Sequence, residues 1–258
     1  MTIGEINKHV HEYPISYGYG IILTAMKEIQ PKQPSHLSDY AEACLNALVR
    51  ADLADRISIG GALGLFHYVD YRPTQDVDAW WSQTVTDAQK KEVIYAIQSE
   101  LESFGRVSTR SWGDVVSIEL SQKNKKVFSF QIAARSIQLK RTISAGWIEI
   151  PLDSLTDLIA SKMVALVERG APRDFLDIYT LCTTGLMTID DCWDLWKQRQ
   201  FLAGSDVNLA RAYLAIETHL ERIIMLRPLE SISDMDQREQ AEKLRTWFQE
   251  SFLKDKHE

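Results

Sequence analysis

The chain has 258 residues, 45% of them hydrophobic and 25% charged, with a net charge of −7. That is an ordinary globular composition, long enough for one large or two small domains with a buried core. No apolar run approaches the ~20 residues needed to span a bilayer. The first residues carry Glu5, Asn7, Lys8 and His9 rather than an apolar signal core, so secretion is not expected and a cytoplasmic protein is. The acidic balance argues against broad non-specific nucleic-acid binding but leaves room for a local basic groove. Cys44, Cys182 and Cys192 lack metal-type spacing and read as free thiols in a reducing compartment.

Residues 1–34, punctuated by Pro14, Pro31 and Pro34, read as an irregular or helical N-terminal segment. Leu45, Leu48, Val49 and Leu53 predict a first firm helix from Ser38 to Leu53. Arg56 to Ile59 reads as a short strand ending at Gly60-Gly61, and a short helix over 62–69 follows. A strand then runs through Asp76 and Asp78 to Trp80-Trp81, and Thr86 to Phe104 is strongly helical. Strands at Val115–Leu120 and Val127–Ile132 flank a hairpin turn at Gln122–Lys125, and Trp147–Ile150 suggests one more strand. Nearly everything after Pro151 is helical, over about 153–169, 173–184, 188–199, 206–226 and 235–253. The chain therefore divides into an α/β part, residues 35–150, and an all-α part, residues 151–258. Lys123, Lys125 and Lys126, then Arg135, Lys140 and Arg141, read as solvated faces, with a polyanion contact as the other reading.

Side chains alternate along a strand, so Asp76 and Asp78 point the same way. Two neighbouring carboxylates oppose each other's ionisation unless a cation lies between them. Mg²⁺ is commonly held by one or two carboxylates together with substrate phosphates, and the Gly60-Gly61 turn offers backbone N–H groups to such phosphates. The residues thus suggest a metal-and-nucleotide site.

A second constellation runs from Lys162 to Asp177, where Gly170 suits a helix end and Pro172 the first turn of the next helix. Lys162 falls within the apolar stripe of Leu155, Leu158, Ile159, Met163 and Leu166, which is costly for an ammonium without a partner. It either snorkels, pairs with Asp174 or Asp177, or reaches nucleotide phosphates. Arg173 and Asp177 stand at i,i+4 and could pair across one helical turn, while Asp174 could compensate the helix dipole. His67 reads as packed or exposed rather than as a ligand, and Trp193 and Trp196 as core.

Gly60-Gly61, then Arg72-x-Thr74-x-Asp76-x-Asp78, then Lys162 through Arg169-Gly170, Arg173-Asp174 and Asp177 resemble the AbiEii/AbiGii toxin-type nucleotidyltransferases of the polymerase β-like superfamily. The resemblance covers roughly residues 57–185. It implies an α+β fold: a nucleotidyltransferase-like mixed sheet with flanking helices, followed by an all-α C-terminal helical region. It also implies metal-dependent transfer of a nucleotide from a nucleoside triphosphate (NTP) to an RNA acceptor, tRNA included, or to a protein. Such a toxin would have a cognate antitoxin and no membrane partner. Asp76 and Asp78 would hold Mg²⁺ or Mn²⁺, and Gly60, Gly61, Arg72, Thr74, Lys162 and Arg173 would bind the nucleotide. Lys162, Asp174 and Asp177 would join the two metal-binding aspartates in catalysis, with Asp174 or Asp177 orienting the cations or the acceptor hydroxyl.

The sequence departs from that family at two places. The interval from Gly60 to Asp76 is one residue longer than the family's, through an insertion near Asp70-Tyr71 or because Gly61-Ala62 is the true turn. The third carboxylate, expected on the strand 127–132, is replaced by Ser129 and Gln131, leaving Glu119 on the preceding strand as its possible substitute. This second departure supports an alternative: a degenerate nucleotidyltransferase fold that binds nucleotide, RNA or a partner protein without turnover.

Overall fold

Seven strands make one mixed sheet in the computed structural model, which describes residues 29–135 and 137–254. Most of the expected N-terminal segment, residues 1–28, lies outside the described residues. The order of elements is α1 (Asp39–Arg50), β1 (Ile57–Ile59), α2 (Gly61–Phe66), β2 (Asp76–Trp81), α3 (Asp87–Glu102), β3 (Arg106–Trp112), β4 (Val115–Gln122), β5 (Lys125–Ala133), β6 (Ile143–Ser144) and β7 (Pro151–Leu152). Five helices follow: α4 (Leu155–Glu168), α5 (Pro172–Thr183), α6 (Ile189–Leu202), α7 (Leu209–Leu226) and α8 (Met235–Trp247), the last continued by a π-helical turn, Phe248–Phe252. The described residues from Pro31 onward form one compact unit, and the passage from strands to helices falls at β7, beside Pro151.

Local chemistry sets the element ends. Ser38 and Ser154 cap α1 and α4 through their hydroxyls, and Thr86/Gln89 and Thr188/Asp191 close capping boxes on α3 and α6. Lys123 and Asn124 both take positive φ (50° and 61°), the conformation a two-residue turn between twisted antiparallel strands demands. Gly113, at φ 54°, begins the corresponding turn between β3 and β4.

The strands lie in the order β3-β4-β5-β2-β1-β7-β6, with β2 parallel to β5 and antiparallel to β1. One sheet face presents Val77, Ala79, Ile118, Leu120, Phe128, Phe130 and Ile132, which pack with Leu45 and Leu48 of α1 and Val93, Ile97 and Leu101 of α3. The opposite face carries Asp76, Asp78, Ser129, Gln131, Ser117 and Glu119, because period-2 alternation sends them there together. A second apolar core among the helices gathers Phe175, Ile178, Trp193, Trp196, Ile216, Phe248 and Phe252.

The expected strand at Trp147–Ile150 is not formed. Those residues are bends, and pairing begins at Pro151–Leu152, where Leu152 meets Ile59 of β1 and Ile143 of β6. Ile150 is nonetheless fully buried, so its apolar character reports burial rather than strand. Arg135 also departs from the solvated-face reading: its buried guanidinium pairs with Asp153 and donates to Ser58 at 2.6 Å.

Candidate active site

Asp76 and Asp78 occupy alternate positions of β2 on the face away from the sheet core, as the strand period requires. Asp76 accepts a 2.5 Å hydrogen bond from Ser129 Oγ, its registered neighbour on β5. Two half-exposed cations approach its carboxylate, Arg173 from α5 at 3.6 Å and Lys126 from β5 at 3.9 Å. Asp78 lies deeper. Burial pushes its carboxyl above the usual carboxylate range and the Asp76 charge adds to this, while Lys162, Arg173 and Arg169 pull the other way.

Gly61 faces Asp78 at close range. Its φ of 58° is left-handed, and a Cβ there would overlap the Asp78 carboxylate. The Gly60 N–H already donates to the Asp78 carbonyl at 2.8 Å. Gly61→Ala should therefore cost about 1–3 kcal/mol in backbone strain and displace Asp78. Denaturant unfolding and a nucleotide-binding titration check this; unchanged values in both would remove Gly61 from the site.

Asp177 of α5 is fully buried and its oxygens are crowded with donors. Lys162 Nζ from α4 stands 2.6 Å from Oδ2, Arg72 Nε donates to Oδ1 at 3.0 Å, and the Tyr71 hydroxyl donates to the same oxygen. Burial and the Asp177 charge push the Tyr71 hydroxyl well above its ordinary range, so it stays a donor. Arg72 also lies over the Phe66 and Tyr71 rings, 5.6 Å from each centroid. The expected Arg173–Asp177 pair across one helical turn is replaced by longer-range partners: Arg173 turns to Asp76, and Asp177 to Lys162 and Arg72.

Asp174 is also fully buried but serves the corner between α4 and α5. It accepts from Arg169 Nε at 2.8 Å and Nη2 at 2.9 Å, and from the Ala171 N–H at 3.0 Å. Burial alone would raise its carboxyl, but the Arg169 hydrogen bonds and charge outweigh that and hold it below the usual range. A carboxyl depressed in the folded state contributes stability above its unfolded value and loses it as pH falls through the folded one. Asp174→Asn should thus flatten the stability–pH curve below about pH 4, as measured by urea unfolding at several pH values.

Thr74 Oγ1 accepts from the Asp76 N–H at 3.3 Å and shapes the entry to β2. Glu119 of β4 is registered with Ser129, which is registered with Asp76, so all three side chains share one face. Two strand spacings separate Glu119 from Asp76, about 10 Å, and Glu119 stands 4.0 Å from Arg110 of β3. Sequence reasoning missed Tyr71 and the Arg169–Asp174 clamp. Only the adjacency of Tyr71 to Arg72, and the five-residue spacing across Gly170, hinted at them.

Among the described residues, no three or more His, Cys, Asp or Glu side chains gather to hold a metal. The two β2 aspartates alone fit the Mg²⁺ pattern in which phosphate and water complete the shell. A buried carboxylate disfavoured in its charged form beside a second carboxylate is relieved by a cation.

The profile of a family described as "Nucleotidyl transferase AbiEii toxin, Type IV TA system" matches residues 43–256. The chain belongs to this AbiEii family. Both constellations lie inside the matched span. A solved structure of an antigenic nucleotidyltransferase-like protein from Paracoccidioides brasiliensis is similar at 14% identity and a TM-score of 0.37, covering 78% of this chain and 92% of that one. Comparison with curated proteins gives no match. No helix among the described residues is long and apolar enough to cross a membrane.

Proposed function

We propose that this AbiEii-family protein is a metal-dependent nucleotidyltransferase that moves a nucleotide from an NTP to an RNA acceptor, tRNA included, or to a protein. We further propose that it acts in the cytoplasm as a toxin counteracted by a cognate antitoxin. The observation that carries this reading is the Asp76/Asp78 pair on one sheet face, with Gly61 against Asp78 and with Arg173 and Lys126 converging on Asp76.

In this reading Asp76 and Asp78 hold Mg²⁺ or Mn²⁺. Bound there, the metal neutralises triphosphate charge and acts as a Lewis acid at the phosphoryl oxygens. Arg173 and Lys126, each more than half exposed, are free to turn from Asp76 to the phosphates. Lys162, held by Asp177, adds fixed positive charge near Asp78. Asp177 acts as a positioning residue for Lys162 and Arg72, and Asp174 as one for the corner that carries Arg173.

A second reading, nucleotide, RNA or protein binding without turnover, is favoured by one observation. Ser129, and no carboxylate, is the β5 neighbour of Asp76, and its hydroxyl is committed to that aspartate. The deciding experiment incubates each α-labelled NTP with total RNA and Mg²⁺ or Mn²⁺, using Asp76→Ala/Asp78→Ala as control. Label that the control fails to transfer supports the enzyme and names its donor; no label with retained nucleotide binding supports the binding module.

A further inference from the structure

The outermost strand of the sheet, β3, is exposed at six of its seven residues, and nothing in the site described above uses it. Its odd-numbered side chains turn inward: Val107 packs on the core and Thr109 Oγ1 accepts from Gln98 of α3 at 2.6 Å. Alternation therefore sends Arg106, Ser108, Arg110 and Trp112 to the other face. The strand registers identify that face as the one bearing the aspartates. Ser108 aligns through Glu119 and Ser129 with Asp76, and Arg110 through Ser117 and Gln131 with Asp78. Arg106 aligns through Ser121 with Lys126, whose ammonium reaches Asp76.

The result is a row of cations ending in an aromatic ring, with Glu119 beside Arg110 at 4.0 Å as the acid among them. Arg173 and Lys126 stand at the aspartates, Arg106 lies two strands beyond Lys126, and Arg110 and Trp112 continue along β3. The Arg110 side chain is 71% exposed and Trp112 is 52% exposed, although a large aromatic ring is costly to leave in water. This concentration occurs on a chain whose 36 acidic residues outnumber 29 basic ones, so overall basicity does not produce it. Cations along an exposed sheet face with an exposed aromatic ring match a single-stranded polynucleotide, whose phosphates take the cations and whose bases stack on the ring.

We infer that the site-facing side of β3, through Arg106, Arg110 and Trp112, binds the single-stranded end of a polynucleotide and leads its terminus toward Asp76. The inference rests on the nucleotidyltransferase reading and selects RNA over protein as the acceptor. Strands spaced ~4.8 Å put β3 about 14 Å from β2, so Trp112 and the arginines hold nucleotides upstream of the reacting end.

The test measures fluorescence anisotropy of a labelled single-stranded RNA of about 12 nucleotides with the full-length protein at several salt concentrations, and NTP binding by calorimetry in parallel. Arg106→Gln/Arg110→Gln/Trp112→Ala should lower RNA affinity about tenfold or more. It should also flatten the log–log salt slope by about 1.4, at about 0.7 per lost phosphate contact, with NTP affinity retained. Arg106→Lys/Arg110→Lys/Trp112→Phe, which keeps charge and ring, should restore RNA binding. Wild-type protein that does not bind the RNA, a triple variant that binds it as tightly as wild type, or no rescue by the conservative variant would each overturn the inference. RNA binding that depends on these residues in a protein that binds no NTP would instead overturn the transferase reading and leave the β3 surface standing.

Discussion

Asp76→Asn and Asp78→Asn are each expected to abolish nucleotide transfer, by about a thousandfold or more, while leaving the fold intact. Their effects on stability should differ. Asp78 sits where burial opposes its charge, so its carboxyl ionises with difficulty in the folded protein. A carboxyl raised in the folded state stabilises fully below its unfolded value, and that contribution disappears as pH rises through the folded one. The neutral asparagine escapes that loss, so metal-free Asp78→Asn should melt higher than the parent at pH 8. Asp76 is more exposed and balanced by Arg173 and Lys126, so Asp76→Asn should melt close to the parent. Labelled-nucleotide transfer and differential scanning fluorimetry read both quantities. Turnover retained in either variant would remove the aspartate pair from the reaction, and a lower melting temperature for Asp78→Asn would contradict the burial argument.

The largest stability effect should come from the buried pair between the helices. Lys162→Met leaves Asp177 fully buried with one charged partner fewer, and Asp177→Asn removes the carboxylate with which both Lys162 and Arg72 pair directly. Breaking a buried pair from one side costs about 3–5 kcal/mol, so each single variant should lose that much in urea unfolding. The double variant should lose less than the sum, because the second change removes a charge the first had stranded. If the network were only structural, NTP affinity measured below the melting transition would survive Lys162→Met. If Lys162 also serves the phosphates, affinity falls even where the variant remains folded.

Much of this arrangement was legible in the sequence because strand and helix periods are short-range facts. The Asp-x-Asp spacing fixed a common face for Asp76 and Asp78, and Gly170 with Pro172 marked the corner between α4 and α5. The face of Ser129 was legible too, from the alternation of its strand, and Ser129 does lie beside Asp76. Pairings that cross the chain were not. Nothing local tells Arg173 to prefer Asp76 over Asp177, because that choice depends on where the fold places the start of α5 relative to β2. β3 carried no firm assignment because it is an edge strand with arginines and serines on its exposed side, so the apolar alternation that betrays a strand is nearly absent. The apolar residues before Pro151 suggested a strand for the opposite reason: Ile150 is buried without joining the ladder.

The aspartate pair arises from β2, whereas Lys162, Arg173 and Asp177 arise from α4 and α5, well over half-way along the chain. Synthesis proceeds from the N-terminus, so the carboxylates and Lys126 emerge from the ribosome long before Lys162 and Arg173. A nascent or prematurely terminated chain ending ahead of α5 lacks Arg173 and the Lys162–Asp177 pair, and keeps only Lys126 of the two cations at Asp76. On the transferase reading, a chain truncated ahead of α5 should therefore transfer no nucleotide, and turnover should begin only with a chain long enough to fold its helical part.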